Sequence, residues 1–325
     1  MIRKGILIAG ILASGTMYSQ EGSTAYEFLK IPTSAHSAAL GGNNVSIIED
    51  DITLMFSNPA LLTNVSDKTL NLNYMSYISG TNKLSAGFAK HIGKRGTWAV
   101  GAQVLNYGEM TETTPDFEEI GTFSASDIAL QGSYSYMFND KWSGAVTGKV
   151  LLSEYGNYSS VGLGVDLGVN YFNEENNLSF GLVAQNLGGQ VDALQEESES
   201  LPFNLVLGIS KDLANAPIRV SVTLSDLTHW SEKHFYNITG EKQNFGKRFM
   251  NHVSIGADIF PSSSTWLAVG YNFRRSYEMK INDTSHWAGL SLGGGISIKR
   301  FKIGVAYGKY HVAASSVIVN ASFSL

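Results

Sequence analysis

Ser126 to Leu152 reads SDIALQGSYSYMFNDKWSGAVTGKVLL, with an apolar or aromatic residue at almost every second position. Ile128, Leu130, Tyr134, Tyr136 and Phe138 share one parity, while Asp127, Ala129, Gln131, Ser133 and Ser135 hold the other. After the turn residues Asn139, Asp140 and Lys141 the pattern restarts at Trp142, with Val146, Val150 and Leu152 against Ser143, Ala145, Thr147 and Lys149. Successive strand side chains point to opposite faces, so this is a hairpin with one apolar and one wet face. A soluble sandwich and an outer-membrane barrel both alternate in this way, and the rest of the chain must separate them.

The opening MIRKGILIAGILASGTMYSQ places Arg3 and Lys4 before a short apolar run and then small residues, the layout of a cleaved signal peptide over 1–19. The apolar run is well short of the roughly 20 residues that a spanning helix needs. No later run is longer, which excludes a helical membrane protein but not a barrel, whose strands carry a weak hydropathy signal. The 325 residues include 34 Gly, 15 Tyr and 16 Phe, no Cys, and only 16% charged residues. A net charge of −5 without a basic stripe excludes nucleic acid as a partner.

Alternation and turn signals predict fourteen strands, near 69–78, 82–92, 96–107, 126–138, 142–154, 157–172, 177–187, 202–211, 217–228, 250–260, 265–275, 286–298, 301–310 and 315–325. Most are 10 to 12 residues long, the length of a tilted membrane strand and about twice that of a globular one. Connections after even-numbered strands are short (NDK at 139, NEEN at 173, PSSS at 261), whereas the long ones, 108–125, 188–201, 229–249 and 276–285, follow odd-numbered strands. Outer-membrane barrels sort their periplasmic turns and extracellular loops in this way. Aromatic residues gather at both ends of the strands, Trp98, Trp142, Tyr171 and Trp266 near the short turns and Tyr107, Tyr155, Tyr158 and Tyr307 near the other rim. The sequence therefore predicts an all-β, 14-stranded antiparallel outer-membrane barrel over 69–325, in a Gram-negative envelope, with both termini periplasmic and the long loops outside.

Residues 20–68 do not alternate and are expected to form a plug inside the lumen. Asn58 and Pro59 read as an N-cap with proline at the first helical position, so SNPALL at 57–62 starts a helical turn. Ala39-Leu40-Gly41-Gly42, the pair Asp50-Asp51, then Asn58-Pro59-Ala60 ahead of a fourteen-stranded wall resemble the FadL-like outer-membrane superfamily, and within it the PorV/PorQ family of the type IX secretion system. VAQNLGG at 183–189 and LPFNLVLGIS at 201–210 are similar to that family's strands, and TSAHSAALGG at 33–42 looks closer to its PorQ branch. The resemblance implies a non-enzymatic, cofactor-free component of the attachment complex, anchoring a PorZ-like surface protein beside a PorV-like barrel and a PorU-like sortase.

The 229–249 loop carries Trp230, Lys233, Phe235, Tyr236, Phe245, Lys247 and Arg248, an aromatic and basic mixture suited to contact with protein or lipopolysaccharide, or to a plain solvent loop. The alternative function is a FadL-like transporter of hydrophobic small molecules. Catalytic matches are weak: Gly289 to Gly293 fits G-x-S-x-G, but it lies inside an alternating strand with no helix after it. The seven histidines are scattered and no cysteine joins them, so no metal site is expected.

Overall fold

The computed structural model describes residues 24–113, 116, 118–193, 198–231, 234–235, 244–279, 287–310 and 315–325. The expected signal peptide lies outside these residues. Fourteen antiparallel strands close into one barrel, with each strand paired to its sequence neighbours and β1 to β14. They are β1 Thr69–Ser76, β2 Asn82–Ile92, β3 Gly96–Thr113, β4 Glu119–Met137, β5 Trp142–Tyr155, β6 Tyr158–Asn173, β7 Leu178–Asp192, β8 Asn204–Asp212, β9 Ile218–Leu224, β10 Val253–Ser262, β11 Thr265–Asn272, β12 Leu290–Ile298, β13 Phe301–Gly308 and β14 Ser316–Ser324.

The two faces of the opening hairpin are now assigned. On β4, Leu130, Tyr134 and Tyr136 are exposed, whereas Asp127, Ala129, Gln131, Ser133 and Ser135 are buried. Serines, asparagines and an aspartate inside, with leucines and valines outside, invert a soluble protein and match a wall that meets lipid. The polar side chains are satisfied within the lumen: Ser133 and Thr147 share a hydrogen bond of 2.7 Å, and Asn71 donates to Ser322 at 2.7 Å.

Three expectations about the wall need correction. The segment expected as a loop at 108–125 is largely strand, because β3 and β4 keep pairing to Thr113 and Glu119 after their alternation has ended. Residues 273–275 belong to a helix, Phe273–Glu278, capped by Asn272, whose side chain accepts from Arg275 N. Residues 250–251 close another helix, Phe245–Asn251, instead of opening β10.

The N-terminal segment fills the lumen. Thr24 bridges to Ser200, in the loop after β7, and Tyr26 bonds Ser160, just after the turn that follows β5. Both sites lie on the long-loop rim, whereas Leu325 donates its backbone N–H to Lys68 on the short-turn rim. The wall therefore begins and ends on the short-turn rim, at Thr69 and Leu325, whereas Thr24 to Tyr26 lie at the long-loop rim.

From there the chain descends to the helix Ala35–Ala39, capped by Ser34, and turns at Gly41 and Gly42 (φ 102° and 122°), conformations that favour glycine. It continues past Val45 and Ile47 to two 3₁₀ turns, Ile52–Phe56 and Pro59–Asn64. The largest apolar core lies inside the plug and against the wall: Ala35, Ala39, Leu40, Ile47, Leu54 and Leu61 pack on Met75, Ala306 and Ile318. Wall glycines admit the plug backbone. A Cβ at Gly181 would overlap the Val45 carbonyl, and one at Gly270 would overlap the Gly41 amide.

Candidate functional site

Two lumen features and one rim feature carry chemistry. The first is an ionic clasp between plug and wall. His36, on the helix that Ser34 caps, places Nδ1 2.6 Å from Glu49 Oε2 and Nε2 2.6 Å from Asp258 Oδ1 on β10. Arg219 on β9 donates from Nε to the other Asp258 oxygen at 2.7 Å and from a terminal nitrogen to the Ile48 carbonyl at 3.3 Å. Trp266 stacks on the imidazole at 3.8 Å with 5° between the planes. Burial by itself would depress the His36 pKa, but Glu49 and Asp258 outweigh it and raise the pKa to about 9, so the ring is an imidazolium donating to both carboxylates at neutral pH. A cavity of about 190 Å³ beside the clasp is lined by His36, Glu49, Asp50, Asp51, Trp266 and Lys302 near the short-turn rim. Asp50 pairs there with Lys302 and Ser66. These contacts hold the plug at its lower end.

The second feature is an apolar chamber below the long-loop rim. Tyr26, Phe28 and Leu201 pack on Leu105, Ala129 and Leu151, which face the lumen from β3, β4 and β5. Ala25, Leu29, Ile31 and Tyr107 border them. Unlike the larger core that the plug makes against Met75, Ala306 and Ile318, this apolar cluster lies next to the long-loop rim and is occupied by the N-terminal arm.

Beside the chamber the wall changes course. The ladder between β7 and β8 ends at the pair Gln185 and Asn204. Asn186 takes φ 59°, its N–H donates to Asp166 at 2.7 Å, and its side-chain oxygen accepts from Lys149 at 2.7 Å. Lys149 also pairs with Asp166 at 2.7 Å, so the bulge is fixed by a buried ion pair. Beyond it, β7 pairs with the returning loop: Leu201 N–H donates to Gly188, and Gln190 N–H to Glu199. Ala25 N–H then donates to Ser200 at 3.1 Å, joining the arm to that loop. Read as a plain strand, VAQNLGG concealed this break, although Asn186, Gly188 and Gly189 in succession are turn formers.

The rim feature is the region after β9. Trp230 donates to the Leu227 carbonyl at 2.6 Å, and its ring meets His252 at 4.3 Å and Phe245 at 6.3 Å. Phe245 is 66% exposed and Lys247 is exposed, whereas Arg248 is half-buried. Phe235 is buried, with the Arg274 guanidinium 5.0 Å above its ring, which removes it from any contact surface. Arg274 also pairs with Asp226 at 2.8 Å and Glu278 at 2.9 Å. Burial would raise the Asp226 pKa, but His229 and Arg274 outweigh it and hold the group below the usual carboxylate range. Lys233 and Tyr236 lie outside the described residues.

The expected plug motif has structural roles throughout. Gly41 and Gly42 make the turn, and the Gly41 N–H donates to Ser291 Oγ at 3.1 Å. The Asn58 side chain caps Pro59–Asn64 by accepting from Ala60 N–H and donates to the Val45 carbonyl at 2.8 Å. The Ala60 carbonyl accepts from Ser135 and Ser143. Ser291 of the G-x-S-x-G match is buried and donates its hydroxyl hydrogen to the Ala39 carbonyl at 2.9 Å, so it serves the plug. Among the described residues no three or more His, Cys, Asp or Glu side chains are grouped as metal ligands.

No protein-family model matches the chain, and no curated protein matches it in sequence. Solved structures do resemble it. The toluene transporter TodX of Pseudomonas putida superposes with a TM-score of 0.54 at 13% identity, covering 94% of this chain and 97% of that one. The monoaromatic hydrocarbon channel CymD gives 0.58 at 16% identity, covering 91% and 98%. A Pseudomonas aeruginosa FadL homologue gives 0.55 at 11% identity, covering 90% and 98%. At such identities the likeness speaks for the fold alone: a closed antiparallel wall of fourteen strands around an N-terminal plug, similar to the folds of these three barrels.

Proposed function

We propose that the protein is an outer-membrane channel for hydrophobic small molecules, with its short turns periplasmic and its long loops outside. The observation that carries this reading is the apolar chamber of Leu105, Ala129, Leu151 and Leu201 next to the long-loop rim, held by Tyr26 and Phe28 of the arm. A compact apolar ligand entering from the long-loop rim would take the arm's place there. The clasped plug blocks the way down the lumen, so the ligand would leave past the β7 bulge, where the ladder to β8 has ended. The similar folds named as a toluene transporter and a monoaromatic hydrocarbon channel support this reading.

The experiment is uptake of radiolabelled toluene by outer-membrane vesicles carrying the full chain. Phe28→Trp should slow uptake by filling the chamber, and removal of 24–30 should speed it. Equal uptake by both variants, the wild type and empty vesicles would overturn the channel reading.

A second reading is that the barrel anchors a surface partner within a type IX attachment complex. Exposed Phe245 and Lys247 beside Trp230 favour it, together with the PorV/PorQ resemblance at 39–42 and 58–60. Affinity purification from the native membrane in mild detergent separates the two: an enriched surface protein and sister barrel support the anchor, and a solitary barrel carrying hydrophobic ligand supports the channel.

A further inference from the structure

Strands β3 and β4 outgrow the wall. The pairing of β2 with β3 ends at Asn82 and Asn106, and that of β4 with β5 at Ala125 and Tyr155. β3 nevertheless runs on to Thr113, and β4 begins at Glu119, so that Glu109 lies opposite Ser124, Met110 opposite Phe123 and Thr111 opposite Thr122. Over this stretch the two strands form ladder pairs only with each other among the described residues. The exit is built. The register shifts between Asn106 and Glu109, Gly108 takes φ 81°, and its N–H donates to the Asn106 side chain at 2.7 Å. Tyr107 anchors the base by donating to Asp127 at 2.6 Å. A bulge of this kind bends a strand and redirects the residues beyond it.

Most of the resulting ribbon is exposed, with contact to the wall at its base, where the Gly156 N–H donates to Ser124 at 3.1 Å. Glu109, Thr111, Glu112, Thr113, Ile120 and Thr122 are exposed, and only the opposed Met110 and Phe123 are half-buried. Two strands with little core are marginal alone, and the outer edge of β3 over Glu109–Thr113 has no ladder partner among the described residues, leaving backbone groups that can template a further strand. Charge narrows the choice of that strand. The ribbon and its turn include Glu109, Glu112, Asp116, Glu118 and Glu119, and no lysine or arginine occurs between Arg95 and Lys141. A second copy would bring the same negative edge and be repelled. A positively charged extended segment would be attracted.

We propose that the edge of β3 over Glu109–Thr113 is a docking site for a basic, extended segment of another protein, which binds by strand addition. This goes beyond the channel reading and does not depend on it, since none of Glu109 to Thr113 belongs to the apolar cluster around Phe28.

The test uses the full chain in detergent micelles and a fluorescein-labelled octapeptide of alternating lysine and valine, read by fluorescence anisotropy. Saturable binding is expected, with none for the alternating glutamate and valine peptide. Glu109→Lys with Glu112→Lys should weaken binding by roughly tenfold or more. An N-methylated lysine and valine peptide, equal in charge but unable to pair through its backbone, should also fail to bind. Persistence of the unheated, compact band on SDS gels shows that each variant keeps its barrel. Equal binding of the N-methylated peptide would reduce the effect to bulk charge, and equal binding by the double variant would place the site elsewhere. Either result overturns the proposal, as does binding confined to lipopolysaccharide vesicles with magnesium. Toluene uptake by the double variant should be unchanged.

Discussion

The His36 clasp makes the plug's hold on the wall depend on pH. The His36 pKa is raised from the ordinary 6.5 to about 9 in the folded protein. A raised pKa contributes stability that is fully present below about 6.5 and is lost as pH rises through about 9. At about 1.4 kcal/mol per unit, the shift corresponds to about 3 kcal/mol, or roughly two orders of magnitude in the ratio of clasped to released plug. Asp258→Asn should cost more at neutral pH. It leaves Arg219 and His36, both buried, without the carboxylate they share, and breaking a buried pair in this way costs about 3–5 kcal/mol. Conductance of the purified protein in planar bilayers reads the outcome, because a lumen of this width conducts once the plug leaves. Wild-type protein should stay closed at pH 7 and open more often at pH 10. Asp258→Asn should open at pH 7, and His36→Gln should lose the pH step. If wild type and Asp258→Asn are equally silent at both pH values while both remain folded on unheated gels, the clasp does not hold the plug.

Other perturbations separate wall, plug and chamber. Leu130→Arg puts a charge on an exposed apolar position of β4 and should cost about 2–4 kcal/mol near the bilayer midplane, measured by urea titration of folding into vesicles. Gly181→Ala forces a Cβ into the Val45 carbonyl and should cost about 1–3 kcal/mol, lowering the temperature at which the compact band is lost, whereas Gly132→Ala, with open space around its Cβ, should not. Asn58→Ala removes the cap of Pro59–Asn64 and the donor to the Val45 carbonyl; about 1–3 kcal/mol should be lost, seen as faster proteolysis of the plug. Phe28→Ala empties part of the chamber and should destabilise the arm by about 3–5 kcal/mol, seen as earlier cleavage near residue 30 with the rest of the plug intact.

The wall was legible because lipid on one side and a polar lumen on the other impose a strict period of two: Leu130 against Gln131, Val165 against Asp166. Legibility ended where that contrast ended. Beyond Asn106 both faces of β3 meet water, so Glu109, Thr111 and Thr113 look like loop residues although their backbone is paired. The helix Phe273–Glu278 was hidden for the opposite reason, since its aromatic and charged residues extend the strand pattern of β11 without a visible stop. In the plug, local chemistry was readable: Asn58 before Pro59 caps a turn, and the glycine pair makes one. Its tertiary partners were not, because His36 meets Asp258 across 222 residues and nothing in the spacing of either announces the other. Phe235 shows the limit of composition: an aromatic residue in a basic loop served as a cover for Arg274, not as a contact surface.

The distribution of forces along the plug implies which part of it can move. From Ser34 to Ser66 it is fixed by charge and by shape: His36 to Asp258, the Ile48 carbonyl to Arg219, Asp50 to Lys302, and backbone seated against wall glycines at Gly181 and Gly270. To move this portion as a body, several buried polar contacts must break together and their groups be left without water, at a cost that grows with each. The arm from Thr24 to Ile31 is held differently, by apolar contacts of Tyr26 and Phe28, the Tyr26 bond to Ser160, the Ala25 bond to Ser200, and the bond from Lys83 to the Ile31 carbonyl. An apolar ligand in the chamber replaces those apolar contacts in kind, while the arm's polar groups near the rim regain water. On the channel proposal, exchange of arm for ligand would break fewer buried polar contacts than release of the clasped portion, and opening would belong to Thr24–Ile31, with the clasped portion acting as the floor against which it happens.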